Sequence, residues 1–171
     1  CDDLLAIASG ESTLTSVMSN KVDLHQVIST VLDNSKACCN TEILLTRNLE
    51  ATRYHVTGKE TFLVNAFSNL VDNAVKYTND HPEITVATRN QNGHVIVEVS
   101  DNGIGIDKKD LDSIFEKFYR VANQDQHDVK GFGLGLSYVK MVVEQMGGQI
   151  SVKSNPGKGS TFILKFPLYN D

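Results

Sequence analysis

Asn69, Asn73, Lys76 and Tyr77 follow one another at four, three and one residues, so on a helix two amides, an ammonium and a phenol gather along one side and one end. Asparagine is a mediocre helix former because its amide competes for backbone hydrogen bonds, and a pair one turn apart points to work for the side chains. Taken alone, the pair would equally suit an ordinary solvent-facing helix. An amide oxygen is an adequate ligand for Mg²⁺, which takes one or two protein oxygens and leaves the rest of its shell to water and substrate phosphates. A second group stands at Asp101-Asn102-Gly103-Ile104-Gly105-Ile106. A carboxylate there accepts hydrogen bonds only, which suits a ligand presenting an amine, and the glycines let backbone approach a flat ring; the same residue types also build plain turns. A third, Lys130-Gly131-Phe132-Gly133-Leu134-Gly135-Leu136, precedes a helical stretch, where unpaired N–H groups and the positive dipole end can meet phosphate oxygens. Its glycine spacing is neither the dinucleotide fingerprint nor a P-loop, and Gly157-Lys158-Gly159-Ser160-Thr161 also fails as a P-loop and reads as a hairpin turn.

These groups need elements to hold them. Leu63, Ala66, Phe67, Leu70, Val71, Ala74 and Val75 recur at helical spacing, which predicts an amphipathic helix over 62–78, starting near Lys59 or Glu60, that carries the asparagines. Asn79-Asp80-His81-Pro82 stops it. Upstream, Leu24, Val27, Ile28, Val31 and Leu32 predict a helix opened by Val22-Asp23-Leu24 and running to about Cys38, with Asp23 as N-cap. Short strands are expected at 42–46 and 51–57, separated by the polar Arg47-Asn48 pair. Residues 84–89 and 95–101 alternate as a hairpin around Asn90-Gln91-Asn92-Gly93, ending at Asp101. A short helix capped by Asp107 is expected through Ile114, a polar loop over 119–131, a helix over 134–146 closed by Gly147-Gly148, and a last hairpin of 149–153 with 160–166. Hairpins supply most strand neighbours. The fold class is therefore α+β, a two-layer sandwich of a mixed, mostly antiparallel sheet with helices on one face.

The 171 residues suffice for one domain with a real core. Sixteen basic against 21 acidic residues give a net charge of −5, which argues for no nucleic-acid partner and no anionic membrane surface. No apolar run approaches the ~18 residues that span a bilayer, so this stretch is not expected to insert in one. Cys1, Cys38 and Cys39 make neither a disulfide framework nor a metal-ligand spacing and read as thiols of a reducing compartment. The chain opens at Cys1 without an initiator Met or signal pattern and is read as a piece of a longer protein. Residues 1–19 have broken helical periodicity, and 20–171 hold the motifs.

Asn69 and Asn73 with Lys76-Tyr77, then Asp101-x-Gly103-x-Gly105, then Phe115-Glu116-Lys117-Phe118-Tyr119-Arg120, then Gly131-x-Gly133-Leu134-Gly135-Leu136 together resemble the catalytic ATP-binding domain of sensor histidine kinases. The resemblance covers residues 22 to 168. Gyrase, heat-shock chaperone and mismatch-repair ATPases share the first, second and fourth motifs in the wider superfamily, whose fold is the Bergerat type. The resemblance implies ATP and Mg²⁺ as cofactors. It makes Asn73 the Mg²⁺ ligand and Asn69 its companion, the two forming the catalytic set with Lys76, and it makes Lys76 and Tyr77 nucleotide contacts. Asp101 becomes the acceptor for the adenine amine, Gly103 and Gly105 the floor of the base pocket, Ile106 a further nucleotide contact, and Thr161 a support for the pocket. Phe115 and Phe118 become the apolar anchor of a lid running from Tyr119 to Phe132, with Arg120 and Lys130 reaching phosphate and Gly131, Phe132, Gly133, Leu134, Gly135 and Leu136 as its closing glycine loop.

Hydrolysing relatives carry a Glu four residues before the Mg²⁺ asparagine as general base for water. Asn69 stands there in this chain and cannot take a proton, which favours transfer to another group. Family members phosphorylate a histidine on an upstream helical hairpin, where an acid follows it. Of the five histidines only His127-Asp128 has that dipeptide, and it falls in the lid. The expected partners are thus the upstream hairpin, through which the full-length protein would form a homodimer, and a response regulator. Residues 1–19 would be the end of that hairpin and its linker. This domain would face the cytoplasm, with the full-length protein membrane-anchored further upstream. The competing readings are a hydrolysing ATPase or a protein-serine kinase of the same superfamily, or a module in which ATP only switches shape.

Overall fold

The computed structural model describes residues 20–38, 42–78, 81–121 and 133–170. In chain order these form β1 (Asn20–Asp23), α1 (Leu24–Cys38), β2 (Leu44–Leu49), β3 (His55–Gly58), α2 (Glu60–Lys76), β4 (Glu83–Gln91), β5 (His94–Asp101), a 3₁₀ turn (Ser113–Phe115), α3 (Gly135–Gln145), β6 (Gln149–Ser154) and β7 (Ser160–Pro167). The main sheet has the order β2-β4-β5-β7-β6, with β2 parallel to β4 and the other pairs antiparallel. The two-layer α+β sandwich is thereby borne out.

Each helix is seated by the apolar stripe visible in its sequence. Leu24, Val27, Ile28, Val31 and Leu32 of α1, Leu63, Ala66, Phe67, Leu70, Val71 and Ala74 of α2, and Val139, Val142 and Val143 of α3 are buried in one core with Val86, Val95, Val97, Val99, Leu164 and Phe166 of the sheet. Asp23 caps α1 by accepting from the Gln26 N–H at 2.9 Å, as its residue type predicts. The β4–β5 connection is tighter than expected: the strands run on to Gln91 and resume at His94. Only Asn92 and Gly93 turn, at φ 49° and 73°, the two positive dihedrals of a two-residue hairpin. Asn90 is left to bind loop backbone, its Oδ1 accepting from the Thr52 and Arg53 N–H groups.

Three expectations are corrected. Val22 and Asp23 belong to β1, which pairs with β3 in a separate small sheet; four residues are too few to show a period. Arg47-Asn48 does not divide one strand from another but lies inside β2, because an edge strand beside α1 tolerates polar residues and Arg47 pairs with Asp33 there. The segment after Asp107 is a series of turns ending in 3₁₀ geometry, held by Asp110 N–H to Asp107 O, Ser113 N–H to Asp110 O and Glu116 N–H to Ser113 O. Such i→i+3 bonds suit a piece too short to propagate an α-helix. The expected hairpin end over 1–19 lies outside the described residues. No helix among the described residues is long and apolar enough to cross a membrane.

Candidate active site

α2, the end of β5, the turns after it and the start of α3 enclose a cavity of about 400 Å³, lined by Asn73, Tyr77, Asp101, Ile104, Gly105, Ile106, Asp110, Ile114, Tyr119, Arg120, Leu136 and Phe162 among others. One side is built by backbone. Asp101 ends β5, and its Oδ1 accepts from the N–H groups of Gly103 at 2.8 Å and Ser160 at 3.2 Å. Burial pushes the carboxyl above its usual range, while these two donors pull it back, because hydrogen bonds to a carboxylate favour the charged form. The loop after Asp101 is fastened on both flanks: Ile104 N–H donates to Tyr77 O at 2.9 Å, Gly157 N–H to Ile104 O at 2.7 Å, and Ile106 N–H to Ser154 Oγ at 2.8 Å. The packing leaves no room for side chains at two turns. A β-carbon on Gly105 (φ 72°) would stand 2.1 Å from Asn155 O, and one on Gly159 (φ 82°) 2.0 Å from Asp101 O.

The other side is built by side chains. Asn73 faces the cavity from α2. Asn69, one turn earlier, does not line it: its Nδ2 donates to Asn65 O at 2.9 Å, and its Oδ1 would touch a β-carbon on Gly135 at 2.8 Å. The Asn69 amide is therefore packed on the first turn of α3, and Gly135 is what lets that helix N-terminus approach. Lys76 sits exposed in the last turn of α2 and is not a lining residue. Where the expected lid leaves the domain, Phe118 N–H donates to Gly133 O at 3.0 Å, so its two ends are joined. Leu134 precedes α3 and Leu136 reaches the cavity.

Asn73, Tyr77, Asp101, Gly105, Ile106, Tyr119, Arg120 and Leu136 are thus brought to one cavity, with Gly103 buried behind it. Phe115 and Phe118 diverge: Phe115 meets Phe162 edge-on at 6.4 Å against the core, whereas Phe118 is 71% exposed. Thr161 is not a lining residue; its Oγ1 lies 2.9 Å from Ser100 Oγ. Strand alternation explains this, since buried Phe162, Leu164 and Phe166 place Ser160 rather than Thr161 on the inner face. A count of two back from Phe162 would have found it. Lys130, Gly131 and Phe132 lie outside the described residues. Asp110 gives no signal in the sequence, because its partner stands nine residues on: Tyr119 donates its hydroxyl to Asp110 Oδ1 at 2.6 Å. That bond raises the phenol above its usual range and keeps it a donor.

A carboxylate braced by backbone N–H groups at a strand end, an amide on a facing helix and a helix N-terminus beside it thus meet in one α+β sandwich. A family model for histidine kinase-, DNA gyrase B- and HSP90-like ATPases matches residues 58–170, and the chain belongs to that family. It is 44% identical over 126 residues to the sensor protein RprX of Bacteroides fragilis, covering 72% of this chain and 24% of that protein. With the sensor-like histidine kinase SenX3 of Mycolicibacterium smegmatis it shares 38% identity over 151 residues, covering 88% and 39%. Among solved structures it resembles a mycobacterial sensor histidine kinase, MprB, with a TM-score of 0.76 at 25% identity, covering 90% of this chain and 99% of that one. The chain therefore spans well under half the length of these two curated relatives.

Proposed function

We propose that this chain is the ATP-binding catalytic domain of a sensor histidine kinase, binding MgATP and passing its γ-phosphoryl group to a histidine on an upstream helical hairpin for relay to a response regulator. The observation that carries this reading is the braced carboxylate of Asp101 facing Asn73 and Tyr77 across one cavity. With both backbone bonds on Oδ1, Oδ2 is the atom to accept from the adenine amine, and Tyr77, Ile106 and Phe162 offer apolar surface to the base. Asn73 offers an amide oxygen toward the phosphates, and the residues present fit Mg²⁺ in the sparse manner that ion prefers. The Asn73 amide oxygen would be its ligand from the chain, with phosphate and water completing the shell. When bound, the ion supplies neutralisation of the phosphate charge. Arg120 lines the cavity from the lid root, where it would meet the phosphates, and the chain's work is positioning, since an in-line transfer needs little covalent help from the protein.

Asn69 supports transfer over hydrolysis. Packed on α3 and unable to accept a proton, it leaves water without a base at the position where hydrolysing relatives carry Glu. The full-length protein is read as a homodimer through its hairpin, membrane-anchored upstream with this domain in the cytoplasm. Mixing the chain with γ-labelled MgATP and the upstream hairpin of its own gene tests the reading. Acid-labile label on the hairpin with little free phosphate is expected; sustained phosphate release with an unlabelled hairpin would move the chain to the hydrolysing branch.

A further inference from the structure

Asp110 is 5% exposed, and its Oδ2 is buried without a hydrogen-bond partner among the described residues. A carboxylate is rarely buried unless paired, and the contact this one has is specific. Its backbone is fixed first: the Asp110 N–H donates to Asp107 O, and its carbonyl accepts from the Ser113 and Ile114 N–H groups, each at 3.0 Å. The carboxylate is thus held at the cavity wall by the turns, and the Tyr119 hydroxyl comes to it at 2.6 Å, in the short range of hydrogen bonds to ionised oxygen. Tyr119 is the last residue before Arg120 and Val121, both of which line the cavity. One position earlier, Phe118 N–H is tied to Gly133 O. Three bonds therefore fix the point from which Arg120 enters the wall: Phe118 N–H to the far root of the lid, Tyr119 N–H to Glu116 O at 3.3 Å, and the Tyr119 hydroxyl to Asp110, the one of the three made by side chains.

We propose that Asp110 is a positioning residue: by holding the Tyr119 hydroxyl it sets Arg120 and Val121 in the cavity wall before nucleotide arrives. Without the bond the lid root must be ordered on binding, and that lost pre-organisation appears as weaker affinity. The inference rests on the reading of the cavity as the MgATP site, and the test separates the two. MgATP affinity is measured by calorimetry on the 171-residue chain and on its Tyr119→Phe, Asp110→Ala, Asp110→Asn and doubly substituted (Tyr119→Phe with Asp110→Ala) forms. Tyr119→Phe keeps the ring and its packing, so it remains informative should Asp110→Ala unfold. Each of these two substitutions is expected to weaken MgATP about tenfold, the double variant no more than either, and Asp110→Asn, which keeps an acceptor, to stay within about threefold. Tryptic cleavage after Arg120 in the absence of nucleotide should quicken severalfold in Tyr119→Phe and stay near the unsubstituted rate in Asp110→Asn. Unchanged affinity in Tyr119→Phe, or losses that multiply in the double variant, would overturn the pairing. Failure of the unsubstituted chain to bind MgATP would overturn the reading of the cavity itself.

Discussion

The Asp101 side of the cavity and the side toward α3, where Asn69 packs behind the wall, are built by different means. At the first, the bracing donors are backbone N–H groups of a strand end, a loop or a glycine hairpin: Ser160 and Gly103 N–H to Asp101 Oδ1, Gly157 N–H to Ile104 O, Ile106 N–H to Ser154 Oγ. At the second, an asparagine amide rests on the first turn of α3, a tyrosine hydroxyl on Asp110, and one backbone bond joins the roots of the lid. Backbone donors rooted in strand ends cannot be redistributed without moving the chain, whereas a contact made by side chains on both sides yields to a change of rotamer. Under the proposed function, recognition of a flat base falls to rigid scaffolding, and handling of a group that must leave falls to elements that can adjust. Substitutions of similar size should therefore cost far more at the first end than at the second.

The largest effect is expected from Gly159→Ala. A methyl there meets the Asp101 carbonyl at 2.0 Å with φ at 82°, and since the obstacle is backbone, the β6–β7 turn and the Asp101 loop must separate. We expect at least ~2 kcal/mol of lost stability from strain and lost bonding, together with a loss of ATP affinity of about a hundredfold or more, read by thermal melting and calorimetry. An unchanged melting curve and affinity would show that the two loops are not braced against each other.

Asp101→Asn comes next and separates chemistry from scaffolding. The amide oxygen still accepts the Gly103 and Ser160 N–H groups, so melting should change little, while ATP affinity should fall about ten- to a hundredfold, the range for a hydrogen bond to a charged acceptor. The pH dependence has a definite sign. Burial raises the folded-state value above the ordinary 3.8, so between 3.8 and the raised value the folded state binds more protons than the unfolded one. Across that window this group's contribution to stability rises as pH falls, even as protonation removes the acceptor proposed for the adenine amine. The difference between the unsubstituted chain and Asp101→Asn should therefore move in opposite directions for melting and for affinity as the solution is acidified from neutrality. Parallel movement would mean that Asp101 does not meet the ligand.

The same contrast decides what could be read from the sequence. The helices α1, α2 and α3, a hairpin within Asn90–Gly93 and the Asp101 loop are legible because their causes are local: period, cap and turn chemistry. Val22-Asp23 and Arg47-Asn48 are not, since whether four residues pair as a strand or a polar pair stays in one depends on what lies alongside. At the site, Asp101, Asn73 and Tyr77 are legible as motif positions. Asp110 is not, because only the chain of 3₁₀-type turns between 107 and 116 brings Tyr119 over it. The motif points to Thr161, whereas the strand's alternation puts Ser160 on the inner face, where it lines the cavity.

Gly135→Ala probes the adjustable end with the same chemical change as Gly159→Ala. Here the obstacle is the tip of the Asn69 side chain at 2.8 Å, which can swing away, and alanine gains up to about 1 kcal/mol of helix propensity over glycine. Stability should stay within about 1 kcal/mol of the starting value, while displacement of the Asn69 amide should weaken MgATP about threefold. A collapse in melting temperature as large as that of Gly159→Ala would erase the distinction between the two ends.

Phe118→Gly should have the smallest effect. Phe118 holds φ 67° with its ring 71% exposed, a conformation that costs a side-chain-bearing residue roughly 1–2 kcal/mol and glycine nothing. Against that relief, glycine gives the unfolded chain more freedom, worth roughly 0.4–1 kcal/mol, and the exposed ring offers little packing to lose. The terms nearly cancel, so denaturant unfolding should shift by about 1 kcal/mol or less, with ATP affinity unchanged because Phe118 does not line the cavity. A loss of several kcal/mol would mean that the ring is packed against something beyond the described residues, and the lid root would then have to be counted with the rigid end.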